Sequence, residues 1–392
     1  MISKLIRLTK LIVFKFINLF ISPYRNIQEK TLLLIRLDAI GDYILFRNYL
    51  KILKKSEKYK NYKITLVGNS VWRNLAEKLD IKYIDKFIWI DRKKFNRNLL
   101  YRYKKLKEIT LKGYELVLSP VYSREFFYTD NIIKLVNAKQ KIGSIGDLSN
   151  IKKWQKKISD RYYTKLIATE NKIKFEFYRN KEFFENLLGE KIDIKRPSID
   201  YKQLVETDSD FQLPERFVVL FIGASSKNRK WPIENFAELG KYLKKKHGFE
   251  IVLCGAAEDL EGIKRFKKIC DEKFINLIGK TSLIDMINII RKASFLISNE
   301  TFAPHMSVAL DIPVLVIYNG NHFGRFVPYP KEIADNYYVV YHPEIDENLE
   351  DYKKLSNTYG YGSNLDIREI SLDKVIEKLD RIFAENESEL HS

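Results

Sequence analysis

Cysteine is nearly absent from this chain: 392 residues hold only Cys254 and Cys270. Two isolated thiols build no disulfide framework and no CxxC metal pattern. Cys254 ends an apolar run and reads as a buried thiol, so a reducing cytosol is the natural compartment. The five histidines, His247, His305, His322, His342 and His391, show no ligand spacing, and no metal site is expected. No GxGxxG follows a strand-like run, which weighs against an ordinary dinucleotide oxidoreductase, and GxxxxGK[ST] and HExxH are missing too. Long apolar runs are also lacking. In the N-terminal "MISKLIRLTKLIVFKFINLFISPYR" the longest unbroken run is Leu11 to Phe14, and Lys4, Arg7, Lys10 and Lys15 interrupt the rest. That is too broken for a spanning helix, and no small-residue cleavage site follows, so no signal peptide is expected. A basic, aromatic-rich helix lying on a membrane surface fits residues 1–30 better; the alternative is a helix packed on the body of the protein.

Acidic residues are the other scarcity, 51 against 69 Lys and Arg, for a net charge of +18. Residues 1–30, 93–112 and 150–175 carry +5, +7 and +6, which together equal the whole net charge. A positive field confined to the first half points to an anionic partner there: a membrane surface, an acidic glycan or a nucleic acid. Solvated helix faces are the plain alternative. Hydrophobic content of 45% with 31% charged residues describes a globular chain, and its length implies two domains. No internal repeat or low-complexity tract is present.

From Thr31 short apolar runs alternate with helical spacing. Leu32–Leu37, Ile64–Val67, Phe87–Ile90, Leu116–Ser119 and Lys141–Gly143 read as strands, with a basic helix over Phe95–Lys112. Residues 195–215 are polar and bracketed by prolines, a natural linker. A second series follows: strands at Phe217–Ile222, Glu250–Leu253, Phe295–Ser298 and Pro313–Tyr318, and helices at Pro232–Lys246, Leu260–Cys270, Ser282–Lys292, Ala303–Leu310 and 371–385. This is the βαβ pattern of an α/β protein with two doubly wound, Rossmann-like domains facing across a cleft. The expected division is an extension over 1–30 and two domains, over 31–200 and 214–392.

Three strand-end turns carry candidate chemistry. In "LLLIRLDAIGDYILFRNYL", Asp42 stands where a strand ends and a helix begins, either as a helix cap or as a site carboxylate. In "FIGASSKNRKWPIENFAELGKYL", small residues through Ser225 leave a strand and Arg229 and Lys230 follow, a turn able to approach an anion. In "LISNETFAPHMSVALDIPVLVIYNGNHFGRFVPY", Glu300 and Thr301 end a strand, and the helix N–H groups of Phe302 and Ala303 are expected to point into the same crevice. Glu300 as a helix cap and His305 as a packed histidine are the plain alternatives. The last two turns together describe a diphosphate site.

These segments resemble glycosyltransferase family 9, the heptosyltransferases of lipopolysaccharide assembly. "LLLIRLDAIGDYIL" resembles the family's opening strand and Gly-Asp turn, and "IGASSKNRKWPIENFAEL" its Lys-x-Trp-Pro segment. "NLIGKTSLIDMINIIRKASFLISNETFAPHMSVALDIPVLVIY" resembles its Gly-Lys-Thr-Ser-Leu helix and Asn-Asp-Thr-Gly-x-x-His turn, and "FEFYRNKEFFENLLG" its pre-linker helix. The resemblance covers residues 31–330 and implies a GT-B fold and inverting, metal-independent sugar transfer without a cofactor, typically from ADP-heptose. It implies Asp42 as catalytic base; Ser225, Arg229 and Lys230 on the phosphate segment; and Asp259 near the nucleotide ribose. Glu300 stands for the family Asp, Thr301 and His305 match, and Phe302 stands where Gly is usual. His322 and Arg325, with Gly320 and Gly324, extend the rim. The expected partners are the donor, an anionic or lipid-linked glycan acceptor and the inner face of the cytoplasmic membrane, not nucleic acid. The rival readings are a UDP- or GDP-hexose transferase for capsule or O-antigen, a basic nucleic-acid-binding protein, and a binding protein that has lost catalysis.

Overall fold

The structure, a computed structural model, describes residues 2–170, 172–201 and 211–389. The expected linker lies partly outside these residues, as does His391, and the side chains of Lys4 and Arg7 are not described. The chain forms two compact units, residues 1–172 with 177–194, and residues 173–176 with 195–392.

Unit 1 is built on a six-stranded sheet of β1 (Ile27–Arg36), β2 (Lys63–Asn69), β3 (Lys86–Ile90), β4 (Gly113–Ser119), β5 (Ala138–Ser144) and β6 (Lys165–Ile167). Its order is β3-β2-β1-β4-β5-β6, all parallel, with Leu33 of β1 level with Val117 of β4. The helices are α1 (Ile2–Leu19), α2 (Ile40–Phe46), α3 (Asn48–Lys55), α4 (Arg73–Leu79), α5 (Arg92–Arg97), α6 (Leu99–Thr110), α7 (Thr129–Leu135), α8 (Lys153–Ser159) and α9 (Glu176–Leu188). Leu32 to Ile35 are wholly buried because parallel strands are covered on both faces. One face packs Leu33, Ile35 and Val117 against Phe95, Leu106, Ile109, Ile132 and Ile133 of α5, α6 and α7. The expected single helix over Phe95–Lys112 is broken at Asn98, whose side chain accepts from the Tyr101 N–H at 2.9 Å and starts α6 anew.

Unit 2 repeats the plan with β7 (Phe217–Phe221), β8 (Glu250–Cys254), β9 (Ile275–Asn276), β10 (Phe295–Asn299), β11 (Val314–Tyr318) and β12 (Tyr337–Tyr341). The order is β12-β11-β10-β7-β8-β9, again all parallel. Its helices are α10 (Ile233–His247), α11 (Ile263–Ile269), α12 (Leu283–Ile290), α13 (Phe302–Leu310), α14 (Pro343–Asp346), α15 (Tyr352–Tyr359) and α16 (Leu372–Glu389). The expected helix from Leu260 starts as a 3₁₀ segment over Ala257–Gly262 and becomes α-helical only at Ile263. The short edge strands β6, β9 and β12 had no sequence expectation. Two or three residues of β6 and β9 are too few to leave a period. In each sheet the strand order reverses beside the unit's first strand, between β1 and β4 and between β7 and β10. Such switch points open a crevice at the carboxyl ends of the strands.

Gly68 in β2 shows how tightly this end of unit 1 is fitted. A Cβ there would lie 2.6 Å from the Trp89 ring and would also strike Trp72. Trp72 stacks on Tyr43 at 4.0 Å, and its indole N–H donates to the Asp38 carbonyl at 3.1 Å. Gly68→Ala is expected to cost about 1–3 kcal/mol of stability through overpacking, read by urea unfolding. A variant as stable as the parent would show that Trp72 has room to move.

Candidate functional site

The turn after β1 is held at nearly every carbonyl. The Arg92 guanidinium donates to Leu37 O at 2.6 Å, and Asn69 Nδ2 donates to both Leu37 O and Asp38 O at 3.3 and 3.0 Å. Arg36, fully buried, pairs with the Asp38 carboxylate at 2.8 Å, donates to Asn180 at 2.8 Å and reaches the Asp42 carbonyl at 3.5 Å. Its guanidinium lies over the Phe46 ring at 4.4 Å. Below the turn Asp80 takes the Tyr43 hydroxyl at 2.7 Å and two donors of Arg47 at 3.1 and 2.9 Å, which anchors α2. Asp42 sits half-buried in the first turn of α2. The N-cap is Ala39, with no side-chain cap bond, so the capping position itself is not Asp42. The turn that carries Asp42 is thus bonded at the Leu37, Asp38 and Asp42 carbonyls.

In unit 2 the turn after β7 faces the turn after β10. Arg229 Nη1 donates to Glu300 Oε2 at 2.9 Å, its Nε to Ser226 Oγ at 3.2 Å, and its Nη2 to Ser225 Oγ. Asn321 Nδ2 donates to the same Glu300 oxygen at 2.8 Å. Lys230 pairs with Asp259, whose other oxygen accepts from the Ala256 N–H at 2.9 Å. Asp259 is buried against two glycines: a Cβ at Gly223 would lie 2.5 Å from its Oδ2, and one at Gly255 3.0 Å. Both expected phosphate cations are therefore already held, by two different carboxylates. The side chains of Ser225, Arg229, Glu300 and Asn321 form one cluster, while Lys230 and Asp259 form a second.

Thr301, not Glu300, caps α13, its Oγ1 accepting from the Ala303 N–H at 3.2 Å. The expectation that the Ala303 N–H points free into the crevice is thus corrected: the cap hydroxyl takes it. Phe302 is half-buried with its ring edge on Phe221, centroids 5.3 Å apart. His305 is packed, its Nδ1 2.7 Å from the Tyr329 hydroxyl, and burial pulls its pKa down to about 4. His322 is likewise pushed down to about 4, first by burial and then by Arg325. Arg325 is buried and pairs with Glu176 at 3.7 Å.

Sequence reasoning missed the asparagines. Asn299 Nδ2 donates to Ile222 O at 2.9 Å and Gly223 O at 3.3 Å, and its Oδ1 accepts from the Trp231 N–H at 3.1 Å. Asn319 Nδ2 donates to Asn228 O and Leu365 O, each at 2.9 Å. Their signal was an amide at the end of an otherwise apolar strand. Among the described residues no group of three His, Cys, Asp or Glu side chains comes together to hold a metal.

The buried His305 makes stability depend on pH. In the unfolded chain a histidine takes its proton near 6.5, but here only near 4, so between those values the unfolded state binds the extra proton. Stability is therefore complete above 6.5 and falls as pH drops toward 4. Between about pH 7 and about pH 5, His305→Gln is expected to lose about 1–2 kcal/mol less than the parent in urea unfolding. Equal losses would place the His305 ring in contact with water.

The sequence model of glycosyltransferase family 9 (heptosyltransferase) matches residues 157–349. The lipopolysaccharide core heptosyltransferase OpsX of Haemophilus influenzae is 25% identical over 195 residues, which cover 46% of this chain and 54% of that protein. The chain thus spans about half the length of this curated relative. Among solved structures, the family 9 glycosyl transferase of Veillonella parvula superposes with a TM-score of 0.67 at 19% identity, covering 93% of this chain and all of that one. Escherichia coli heptosyltransferase WaaC, solved with ADP-2-deoxy-2-fluoro heptose, superposes at 0.64 with 17% identity, covering 90% of this chain and 99% of that one. At such identities the superpositions establish the fold, and they cover unit 1 as well as unit 2: two doubly wound α/β units in one chain, the GT-B type. The Asp42 turn lies outside the matched residues; the Arg229 and Glu300 turns and the pre-linker helix lie inside them. Residues 157–349, just under half of the chain, are thus similar to glycosyltransferase family 9.

Proposed function

We propose that the chain is an inverting glycosyltransferase that moves a heptose from ADP-heptose to a lipopolysaccharide or other lipid-linked glycan at the cytoplasmic face of the membrane. The observation that carries this reading is the Ser225–Arg229–Glu300–Asn321 cluster at the switch point of unit 2, inside the residues that match the family. The donor and acceptor are those in the names of the relatives: OpsX is a lipopolysaccharide core heptosyltransferase, and WaaC was solved with a fluorinated ADP-heptose. Glu300 and Phe302 depart from the family pattern, and a UDP- or GDP-hexose is the rival donor. A thermal-shift panel of ADP, UDP and GDP separates the two, because a ligand that binds the native state raises its melting temperature. A rise with UDP or GDP alone would overturn the ADP assignment.

In this reading Asp42 takes the proton of the acceptor hydroxyl as its oxygen attacks the anomeric carbon, and the nucleoside diphosphate departs from the opposite face of the sugar. Arg229, with Lys230, neutralises the departing charge, and neither role calls for a metal or a cofactor. Asp259 holds Lys230 in place, and Thr301 sets the start of α13 beside the leaving group. His305 stays neutral and structural. His322 and Arg325 belong to the rim.

Asp42→Asn keeps the volume but turns one acceptor oxygen into an N–H donor and cannot take a proton. It is expected to lower turnover by about two to four orders of magnitude with donor affinity nearly unchanged. Near-parental turnover would remove Asp42 from the mechanism.

Arg229→Ala removes a donor and takes the guanidinium from the buried Glu300 carboxylate. Nucleoside diphosphate affinity is expected to fall by about 1.5–3 kcal/mol, measured calorimetrically. Lys105→Ala in α6 serves as the control and is expected to leave affinity unchanged. Equal losses would mean that diffuse charge, not the cluster, attracts the anion.

A further inference from the structure

Helix α1 has two apolar stripes, and only one of them is used. Phe14 and Ile17 are buried, as is Ile21 beyond the helix end. Phe14 lies under the buried Arg102 guanidinium at 3.6 Å and against Phe127 at 5.7 Å. Asn18 donates to Asn131 of α7 at 2.8 Å, and the Tyr24 N–H donates to Thr110 O at the end of α6 at 3.0 Å. The helix is thus docked along α6 and α7. Its other stripe, Ile12, Phe16, Leu19 and Phe20, recurs at i, i+4, i+7 and i+8 and stands in water, with Ile12 61% and Leu19 79% exposed. A helix packed on a globular body needs one apolar face; the second needs an occupant.

The neighbouring helices present the same mixture. On α8, the exposed Trp154 and Ile158 directly follow the exposed Lys153 and Lys157. On α6, Leu100 and Leu111 border the exposed Lys104 and Lys107. Ring contacts join α1 to α8: Phe14 to Phe127, Phe127 to Phe126 at 5.2 Å, and Phe126 to Trp154 at 5.7 Å. The right-handed crossovers from β3 to β4, β4 to β5 and β5 to β6 put α6, α7 and α8 on one face of the sheet. The acids of α6 and the α8 end, Glu108 and Asp160, are held by Lys105 and by Lys156 with Arg124. A hollow after α1 is lined by Arg25, Lys134 and Lys141 and by no acid.

We propose that this face, α1 with α6 and α8 beside it, is a docking surface for an anionic lipid bilayer. Interleaved lysines meet the headgroups while the aliphatic and aromatic side chains enter the acyl boundary. Charge complementarity selects this occupant. A second copy would bring an equally basic face against this one, and aliphatic side chains such as Ile12 and Leu19 offer nothing to a nucleic acid. The proposal rests on the transferase reading only for the place of the acceptor; the surface itself follows from unit 1.

The test is cosedimentation of the full chain with phosphatidylglycerol-rich or pure phosphatidylcholine vesicles. The parent is expected to bind the anionic vesicles about tenfold or more tightly than the neutral ones. Phe16→Ser with Phe20→Ser, and separately Lys153→Glu with Lys157→Glu, should each weaken anionic binding by about tenfold or more with unchanged melting temperature. Vesicle binding should also shift the fluorescence of Trp154, and Trp154→Phe should abolish most of that shift. Parental binding by either double variant overturns the surface, as does binding indifferent to lipid charge. So does a dimer that Phe16→Ser with Phe20→Ser dissolves while vesicles bind neither form. Transfer to a soluble acceptor analogue is measured alongside: vesicle binding without transfer overturns the enzymatic reading and leaves the surface standing, and transfer without vesicle binding does the reverse.

Discussion

One asparagine side chain, placed at the last residue of a neighbouring strand, holds two consecutive carbonyls of the turn that leaves each unit's first strand. In unit 1 it is Asn69 of β2, bonded to Leu37 O and Asp38 O; in unit 2 it is Asn299 of β10, bonded to Ile222 O and Gly223 O. The constraint behind it is general. A parallel strand covered on both faces has no place for polar chemistry along its length, so the carbonyls that run past the ladder must be satisfied at its end. An amide with two donors and a fixed plane does this without adding charge. The turn it fixes is the one that carries Asp42 in one unit and Ser225 and Arg229 in the other. Everything proposed about chemistry depends on those backbones staying where they are.

Charge at these turns is paired rather than free. Counting cations after β7 suggests a strongly positive turn, but Arg229 belongs with Glu300 and Lys230 with Asp259. A pair holds its members in fixed positions, and it lowers the net attraction for an anion. A diphosphate bound here would meet an oriented guanidinium whose charge is partly balanced, so specificity would come from geometry more than from field strength. The same logic explains Asp259. With Gly223 and Gly255 leaving room for its carboxylate, it ties the turn after β7 to the 3₁₀ segment after β8, and Lys230 is fixed as a consequence.

The long strands and the helices with clear periodicity were legible in the sequence, and so were the strand-end positions of the candidate site residues. Leu32–Leu37 and Phe217–Ile222 are apolar runs that match buried strands to within a residue or two on their carboxyl side. Asp42, Arg229 and Glu300 stand at strand ends because a strand end is visible as the place where apolar runs stop. Pairing was not legible. That Glu300 meets Arg229 across 71 positions, or that Arg102 lies between Phe95 and Phe14, is set by strand order, which no local pattern encodes. The Thr301 cap could have been read from the Thr before an apolar helix, but Glu300 beside it drew the same expectation. Asn98 breaking the basic helix is a similar case: an Asn three residues before a tyrosine in a charged run looks like one more surface position until its side chain caps.

The doubly wound plan also explains how unit 1 would separate the two proposed tasks. Its carboxyl strand ends gather Asp38, Asp42, Arg36 and Arg92, where buried ion pairs and pinned carbonyls demand exact placement. Its helical face carries α1, α6 and α8, where lysines alternate with exposed apolar side chains and no precise partner is needed. Fixing a carboxylate for proton transfer requires a backbone whose every polar group is satisfied. Meeting a fluid, charged surface requires only that cations and apolar groups share one side. A parallel sheet supplies both, because crossovers that reverse at the switch point put the later helices together on one face and leave the strand ends open. The basic charge of the first half therefore sits beside the Asp42 turn in sequence but on different elements in space.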